Sequence, residues 1–442
     1  MSSSHQSLRF PRISAVVVAT LLMLALVPAA LGQGAFYAEE EKDGRIYVFN
    51  KMNVYQLWKE SGEIGVSITR PGEGPNGETL IFDSDEAIHL YNFRHSRPGE
   101  VLIRPEEKKP VMKVSWKDGK TTIETDNALL NISNRVQIRF THEDPENGNS
   151  KGSFRIRRAK TKFDGWFYRK NMTYELQLNW PDTANPLEDA NFNFAHSRAF
   201  QVKAGQFKVP FGRQELTSSG SQQFVDRSIV SNEFARGRDI GVQFWGLTLG
   251  NRIDWRIGAF NGNGRTVSAN DNDAFQYNAR VTWQPWGDVK YSEGDFESSD
   301  RPLFAIAGQY ENNDRAGATT GNDVSREILG ADAVFKYKGF SAFAEYFTRD
   351  NEPETGAETE AGGFNVQLGY FIVRNKFEIA GRYATWDPSD AVGNNNRTET
   401  GVAFNWFINK HNLKLQGDLR QVEDDAANTT NREARVQLQF IF

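Results

Sequence analysis

From Val111 to Phe442 the chain repeats one pattern: segments of about ten residues that alternate apolar and polar, separated by clusters of Asn, Asp, Gly and Ser. Successive side chains of a strand point to opposite faces, so this alternation predicts strands with one apolar and one polar face. In one segment Met172, Tyr174, Leu176, Leu178 and Trp180 make the apolar face, and Thr173, Glu175, Gln177 and Asn179 the polar one. The split recurs in Val136, Ile138 and Phe140 against Arg135, Gln137 and Arg139, and in Leu413, Leu415 and Leu419 against Lys414, Gln416, Asp418 and Arg420. The last segment sets Ala434, Val436, Leu438, Phe440 and Phe442 against Arg435, Gln437 and Gln439.

Alternation suits a soluble sandwich as well as a membrane barrel, and three further features select the barrel. Aromatics crowd the segment ends (Trp166, Phe167, Tyr168, Trp180, Trp283, Trp286, Tyr383, Trp386), where a membrane barrel places its interfacial girdles. The polar faces carry several long charged side chains each, too many for a dry core but natural for a wet lumen. Phe442 ends an amphipathic strand and reads as an assembly signal for the barrel-assembly machinery. The expected class is therefore all-β, a transmembrane antiparallel barrel of about sixteen strands counted from a hairpin near Met112–Trp116, wide enough for an aqueous channel. Short connections such as Lys338-Gly339 and Asn409-Lys410-His411 are expected as periplasmic turns. The longer Thr141–Lys151, Asn261–Ala274, Asp288–Arg301, Asn312–Ser325, Asp350–Glu360 and Pro388–Arg397 are expected as external loops.

The first 110 residues read differently. Arg9 and Arg12, the apolar run Ile13–Val27 and the small residues after Pro28 have the order of a secretory signal peptide over residues 1–32, with cleavage expected after Gly32. Residues 33–110 hold short apolar strings such as Ile64–Ile68 and Thr79–Phe82, expected to form a small β-rich periplasmic extension, and Arg104–Pro110 reads as a charged linker. The barrel then takes residues 111–442.

Composition removes other classes. The chain has 442 residues, no cysteine and 12% aromatics. Thiolate metal sites, disulfide scaffolds and cysteine nucleophiles are excluded. The formal charge of -5 argues against nucleic-acid binding, and losing two arginines with the signal takes it to -7. Six scattered histidines show no zinc spacing, and Asn270-Asp271-Asn272-Asp273 lacks the glycine and distal glutamate of a calcium loop. With no nucleophile elbow, P-loop or dinucleotide fingerprint, neither cofactor nor enzymatic activity is expected.

The candidate chemistry lies on the lumen face. Parity turns Arg135, Arg139, Arg155, Arg157, Lys160, Lys162, Lys203, Arg256, Arg382, Lys414, Arg420 and Arg435 inward, against the acids Glu175, Asp254, Glu378 and Asp418 only. Such a ladder concentrates anions and repels cations, in a protein that is acidic overall. Phe154 and Ile156 are out of phase with Ala159 and Phe163, and a β-bulge at Arg157 and Arg158 would let both arginines reach the lumen. Pairing with acids on neighbouring strands is the competing reading of these bases. Between Gln206 and Val242 the chain is too apolar for an external loop, and Pro210 bars a central strand. It is expected to fold inward as an anion-binding constriction carrying Lys208, Arg213, Arg236 and Arg238.

Trp116–Lys120, Arg155-Ile156-Arg157-Arg158-Ala159, Gly205–Gly212, Arg238–Val242 and the terminal Phe442 together resemble the phosphate-selective porin O and P family of outer-membrane channels, over roughly Val114–Phe442. The resemblance implies a sixteen-stranded homotrimeric porin in the bacterial outer membrane, surrounded by its lipid, whose lumen arginines and lysines guide phosphate or polyphosphate. The alternative function is a structural barrel whose residues 33–110 contact a periplasmic partner or the cell wall.

Overall fold

The computed structural model describes residues 36–98, 112–265, 267, 269–270, 272–315 and 324–442. The signal segment and the Arg104–Pro110 linker lie outside the described residues. The chain divides into two compact units, Met1–Lys109 and Pro110–Phe442.

The first unit contains the small sheet, in the order β1 (Ala38–Lys42), β2 (Arg45–Phe49), β4 (Thr79–Phe82), β3 (Ile68–Arg70). Asp43 and Gly44 join β1 to β2, both at positive φ, as a two-residue hairpin requires. Strands β2 and β4 are parallel, and helix α1 (Met52–Ser61) lies in the crossover between them. Helix α2 (Asp85–Arg94) starts at Ser84, whose hydroxyl accepts from the Ala87 amide at 3.2 Å. Neither helix is visible in the apolar pattern, because α1 buries Trp58 alone and α2 only Ala87, Ile88 and Tyr91. Such short stripes are hard to tell from strand strings.

The second unit is the barrel. Strands β5 (Lys113–Lys117) and β6 (Lys120–Glu124) form a hairpin, and β6 pairs with the foot of the next strand from Thr121↔Ile132 to Glu124↔Leu129. The ring runs from β7 (Ala128–Asp144) through β8 (Lys151–Phe167), β9 (Arg169–Asn179), β10 (Leu187–Ala195), β11 (Gln201–Lys208), β12 (Arg238–Thr248), β13 (Ile253–Phe260) and β14 (Gln276–Trp283). It continues through β15 (Leu303–Arg315), β16 (Val324–Tyr337), β17 (Phe340–Pro353), β18 (Thr359–Val373), β19 (Phe377–Asp387), β20 (Arg397–Asn409), β21 (Leu413–Asp424) and β22 (Thr429–Ile441). Strand β22 closes on β7 from Arg432↔Asp144 to Ile441↔Arg135. Sixteen antiparallel strands thus make the wall, and the hairpin that the sequence pattern counts as the first of them stands outside the ring. Phe442 completes the seam: its carbonyl accepts from the Asn134 amide at 2.7 Å, and its amide donates to the Asn134 carbonyl at 3.0 Å.

Outward-facing side chains are apolar and exposed, among them Ile156, Leu176, Ile257, Leu368 and Val402. Among the described residues no helix is long and apolar enough to span a membrane; the outward apolar belt is carried by strands. Tyr168, Trp180, Trp283, Trp286 and Tyr383 are exposed girdle residues. Trp386 is not: it shares parity with Arg382 and Ala384, points inward and is 8% exposed.

Connections are short at one end, where Lys338 and Gly339 turn at positive φ (49° and 86°). At the opposite end the connections expected as Thr141–Lys151 and Asp350–Glu360 are shorter than read, 145–150 and 354–358, because the flanking strands run on; most of the expected Asn312–Ser325 loop, residues 316–323, lies outside the described residues; and one further connection is a correction. Asp288–Arg301 joins β14 to β15 at the short-turn end. Length suggested an external loop, but this segment tucks into the barrel, where Val289, Glu293 and Asp295 are buried. Phe296 packs against Phe371 and Phe407 at ring distances of 5.8 and 5.0 Å.

Deleting Phe442 removes both seam hydrogen bonds and the ring stacked on Phe440. The fraction of heat-modifiable folded barrel on semi-native gels is expected to fall severalfold, whereas Phe442→Tyr keeps it. Normal assembly of the deletion would contradict this account of the seam.

Candidate functional site

Two chain segments enter the barrel from opposite ends and meet. The first, residues 209–237 between β11 and β12, leaves the wall because Pro210 has no amide to extend the ladder. Its apolar residues make a core inside the lumen, where Phe211, Val230 and Phe234 pack with Phe207, Phe260, Phe347 and Trp386. Phe234 stacks on Phe347 at 5.4 Å and 9°. Short helices α3 (Arg213–Leu216) and α4 (Ile229–Phe234) shape the segment, and the Ser228 hydroxyl caps α4 by accepting from the Ser231 amide.

Wall residues take up the segment's backbone donors. Gly212 N donates to Gln309 (2.9 Å), Gln214 N to Glu345 (2.9 Å), Val225 N to Asp418 (3.0 Å) and Ile229 N to Glu399 (2.9 Å). The second segment, residues 284–302, joins the first through Glu293, whose carboxylate accepts from Gln214 Nε2, the Gln223 amide and Gln367 Nε2 at 2.7–2.9 Å. Together they fill the lumen beside β14–β22: Gln367, Glu378, Glu399, Asn405, Lys414 and Gln437 are all at most 1% exposed.

The open space lies on the other side. A cavity of about 560 Å³ is lined by strands β7–β13, the inward segment, Asp182 and Arg265 of the β9–β10 and β13–β14 connections, and Ile441 of β22. Its bases are Arg135, Arg157, Arg158, Lys160, Lys162, Lys203, Lys208, Arg227, Arg238, Arg256 and Arg265; its acids are Glu175, Asp182, Glu188 and Asp189. The cavity lining thus carries eleven bases against four acids.

The lumen residues named from sequence fall into two sets. Arg135, Arg157, Arg158, Lys160, Lys162, Lys203 and Arg256 line the cavity. The β7–β8 register shifts between Gln137 and Ile138, opposite Arg158 and Ile156, so Arg157 is the extra residue of a bulge and both arginines reach the cavity. The others do not line it. Arg139 binds Asp226, Arg382 binds Glu399 at 3.0 Å with both side chains fully buried, and Arg435 binds Asp418 at 2.7 Å. Arg420 binds Glu433 at 2.9 Å, Lys414 donates to the Gln222 carbonyl, and Arg155 is exposed near the loop end of β8.

The four constriction residues are not brought together. Lys208 and Arg238 are register partners on β11 and β12 and line the cavity. Lys208 donates to carbonyls of the inward segment, and Arg238 binds Asp189 at 2.8 Å. Arg213 is buried and donates to the carbonyls of Val289 and Lys290, fastening the two inward segments to each other. Arg236 binds Glu311 at 3.2 Å, away from the cavity. A loop folded back on itself turns its bases in several directions, and parity does not operate outside a strand.

Sequence reasoning found too few inward acids. Glu188, Asp189, Asp226, Asp332, Glu345 and Glu399 were missed, although Asp332, Glu345 and Glu399 sit in alternating strands whose parity assigns them to the lumen. Arg280, bound to Asp332 at 2.6 Å with both side chains 1% exposed, was missed with them.

A family model described as phosphate-selective porin O and P matches residues 130–442. A protein of Aquifex aeolicus (strain VF5) described as uncharacterized is 22% identical over 409 residues, covering 80% of this chain and 97% of that one. Among solved structures, the anion-selective porin from Comamonas acidovorans is similar in fold with a TM-score of 0.54 at 11% identity, over 71% of this chain and 100% of that one. The outer membrane channel DcaP of Acinetobacter baumannii gives 0.54 at 12% identity, over 72% and 98%.

Breaking a wall pair on the filled side differs from removing a base in the cavity. Arg382→Gln strands the fully buried Glu399 carboxylate and is expected to destabilise the folded barrel by roughly 3–5 kcal/mol, read as a lower urea midpoint in lipid vesicles. Lys203→Gln, in the wet cavity, is expected to shift that midpoint by about 1 kcal/mol or less. Equal shifts would contradict the division into a packed and an open side.

Proposed function

The chain belongs to the phosphate-selective porin O and P family, channels of the bacterial outer membrane, and on that premise we propose that it is an anion-preferring diffusion pore with phosphate or polyphosphate as leading solute. The observation that carries this reading is the charge of the cavity, eleven bases to four acids, on the side the inward segments leave open. In a narrow aqueous passage the sign of the wall charge decides which ion is concentrated, and low-dielectric walls strengthen the effect. Phosphate adds geometry: arginine forks offer paired donors that match its oxygens, and charge-assisted bonds of this kind are the strong ones. A homotrimer, as the family resemblance implies, and assembly guided by Phe442 belong to the same proposal.

Two features support flow rather than trapping. Lys160, Lys162, Arg238, Arg256 and Arg265 each have a carboxylate in contact, Lys162 with Glu175 at 2.9 Å and Arg256 with Asp254 at 2.7 Å. Their pull on a passing anion is thereby moderated, and conduction requires binding weak enough to release. The bases also span many residues of wall, so an ion can pass from one to the next.

In planar bilayers under a potassium chloride gradient, the wild-type reversal potential is expected to report anion preference. Lys162→Gln with Lys203→Gln, both lining the cavity, should move it toward zero, while Lys414→Gln, buried on the filled side, leaves it within error. Cation preference in the wild type would overturn the reading.

A further inference from the structure

Toward the short-turn end the basic cavity adjoins a second one of about 410 Å³, and the two share Lys162, Glu175 and Lys203 in their linings. Their charge differs. The second carries two bases, Lys162 and Lys203, against two acids, Asp164 and Glu175, so it does little to concentrate an anion. What it adds instead is two indoles. Trp166 shares the parity of Lys162 and Asp164 on β8, so it faces the lumen rather than the outer girdle expected for it. Trp245, the register partner of Arg256, faces the same space from β12. Both are partly exposed, and neither joins the apolar clusters around the inward segments.

Trp166, Thr173, Asn193 and Lys203 are successive register partners across β8–β11. Asn193 Oδ1 accepts from Trp245 Nε1 at 2.8 Å, which holds that ring in place. The pairs Lys203↔Gln243 and Gln201↔Trp245 make Lys203 and Trp245 diagonal neighbours, with backbones roughly 7–8 Å apart. The Arg256 guanidinium lies 5.9 Å from the Trp245 ring. Bases and an indole at that spacing match a phosphate and a ring joined by one carbon. An indole gives little to a bare phosphate, whose surface is all charged oxygen, but its flat apolar face suits the C–H side of a sugar ring. Asn191, Asn193 and Glu175 in the same lining supply donors and acceptors for the hydroxyls.

We propose that the passage contains a subsite for phosphorylated sugars, with the phosphate held by Lys203 and Arg256, the sugar ring against Trp245, and Trp166 flanking the same cavity. The inference rests on the anion-pore reading and extends its solutes to hexose phosphates.

The test compares block of chloride current by glucose 6-phosphate and by ethyl phosphate at pH 8, where both esters are divalent and only the ring differs. The wild type is expected to be half-blocked at a roughly fivefold lower concentration of glucose 6-phosphate. Trp166→Leu with Trp245→Leu should bring the two half-blocking concentrations within about twofold by raising that of glucose 6-phosphate, whereas Trp245→Phe keeps part of the preference. Lys203→Gln should weaken block by both esters alike. Equal block by the two esters, or block by neither, in an anion-preferring wild type would overturn the sugar subsite and leave the anion pore standing. A preference that survives in a heat-modifiable double variant overturns it as well, and so does tighter block by adenosine monophosphate, which would mean that the indoles stack bases. A cation-preferring wild type would sink the anion-pore reading itself, and this inference with it.

Discussion

An ionised side chain on the inner wall of a barrel has two tolerable fates, a partner or water, because the low dielectric of a packed interior makes an unpaired charge costly. The whole lumen is arranged around that constraint. Beside β14–β22 the inward segments exclude water, and there the bases found opposite carboxylates: Arg280 with Asp332, Arg382 with Glu399, Arg435 with Asp418. Beside β7–β13 a cavity stays open, and among the residues lining it the bases outnumber the acids. The open space is therefore off-centre, and the charge of its lining follows from which half of the wall the inward segments leave uncovered.

The inward segments are built to hold that division. An apolar cluster around Phe211, Phe234 and Phe347 fixes residues 209–237 near the loop end, and Phe296 with Phe371 and Phe407 fixes residues 284–302 near the turn end. Between them, amides and glutamines bridge to Glu293, Glu345, Glu378 and Asp418. Each of these four carboxylates accepts from a donor of the inward segment 209–237, which makes wall and filling mutually dependent.

The fold was legible because strand parity has a fixed period: two residues per repeat, apolar outward, recur in the wall strands between Val136 and Phe440, with the bulge at Arg157 detectable as a phase break. Parity also turned the wall bases inward. It was silent on whether an inward base meets an acid: Arg382 and Arg435 find theirs on the neighbouring strand, whereas Arg139 finds Asp226 on the inward loop. It was silent as well on Arg213 and Arg236, which belong to segments with no repeat, and on α1 and α2, which bury too few residues to make a stripe. The direction of Asp288–Arg301 was misread because length alone was taken to mean an external loop, when the segment's buried Val289, Glu293 and Asp295 draw it into the barrel.

The off-centre cationic passage is tested most directly by single cysteines, which the cysteine-free chain accepts without background. With current recorded through one channel, Lys203→Cys on the open side is expected to react rapidly with a negatively charged thiosulfonate, more slowly with a positively charged one, and to lose conductance on modification. Gln367→Cys, on the filled side, is expected to leave the current unchanged with either reagent. Comparable modification and block at both positions, or faster reaction of Lys203→Cys with the cationic reagent, would contradict the account.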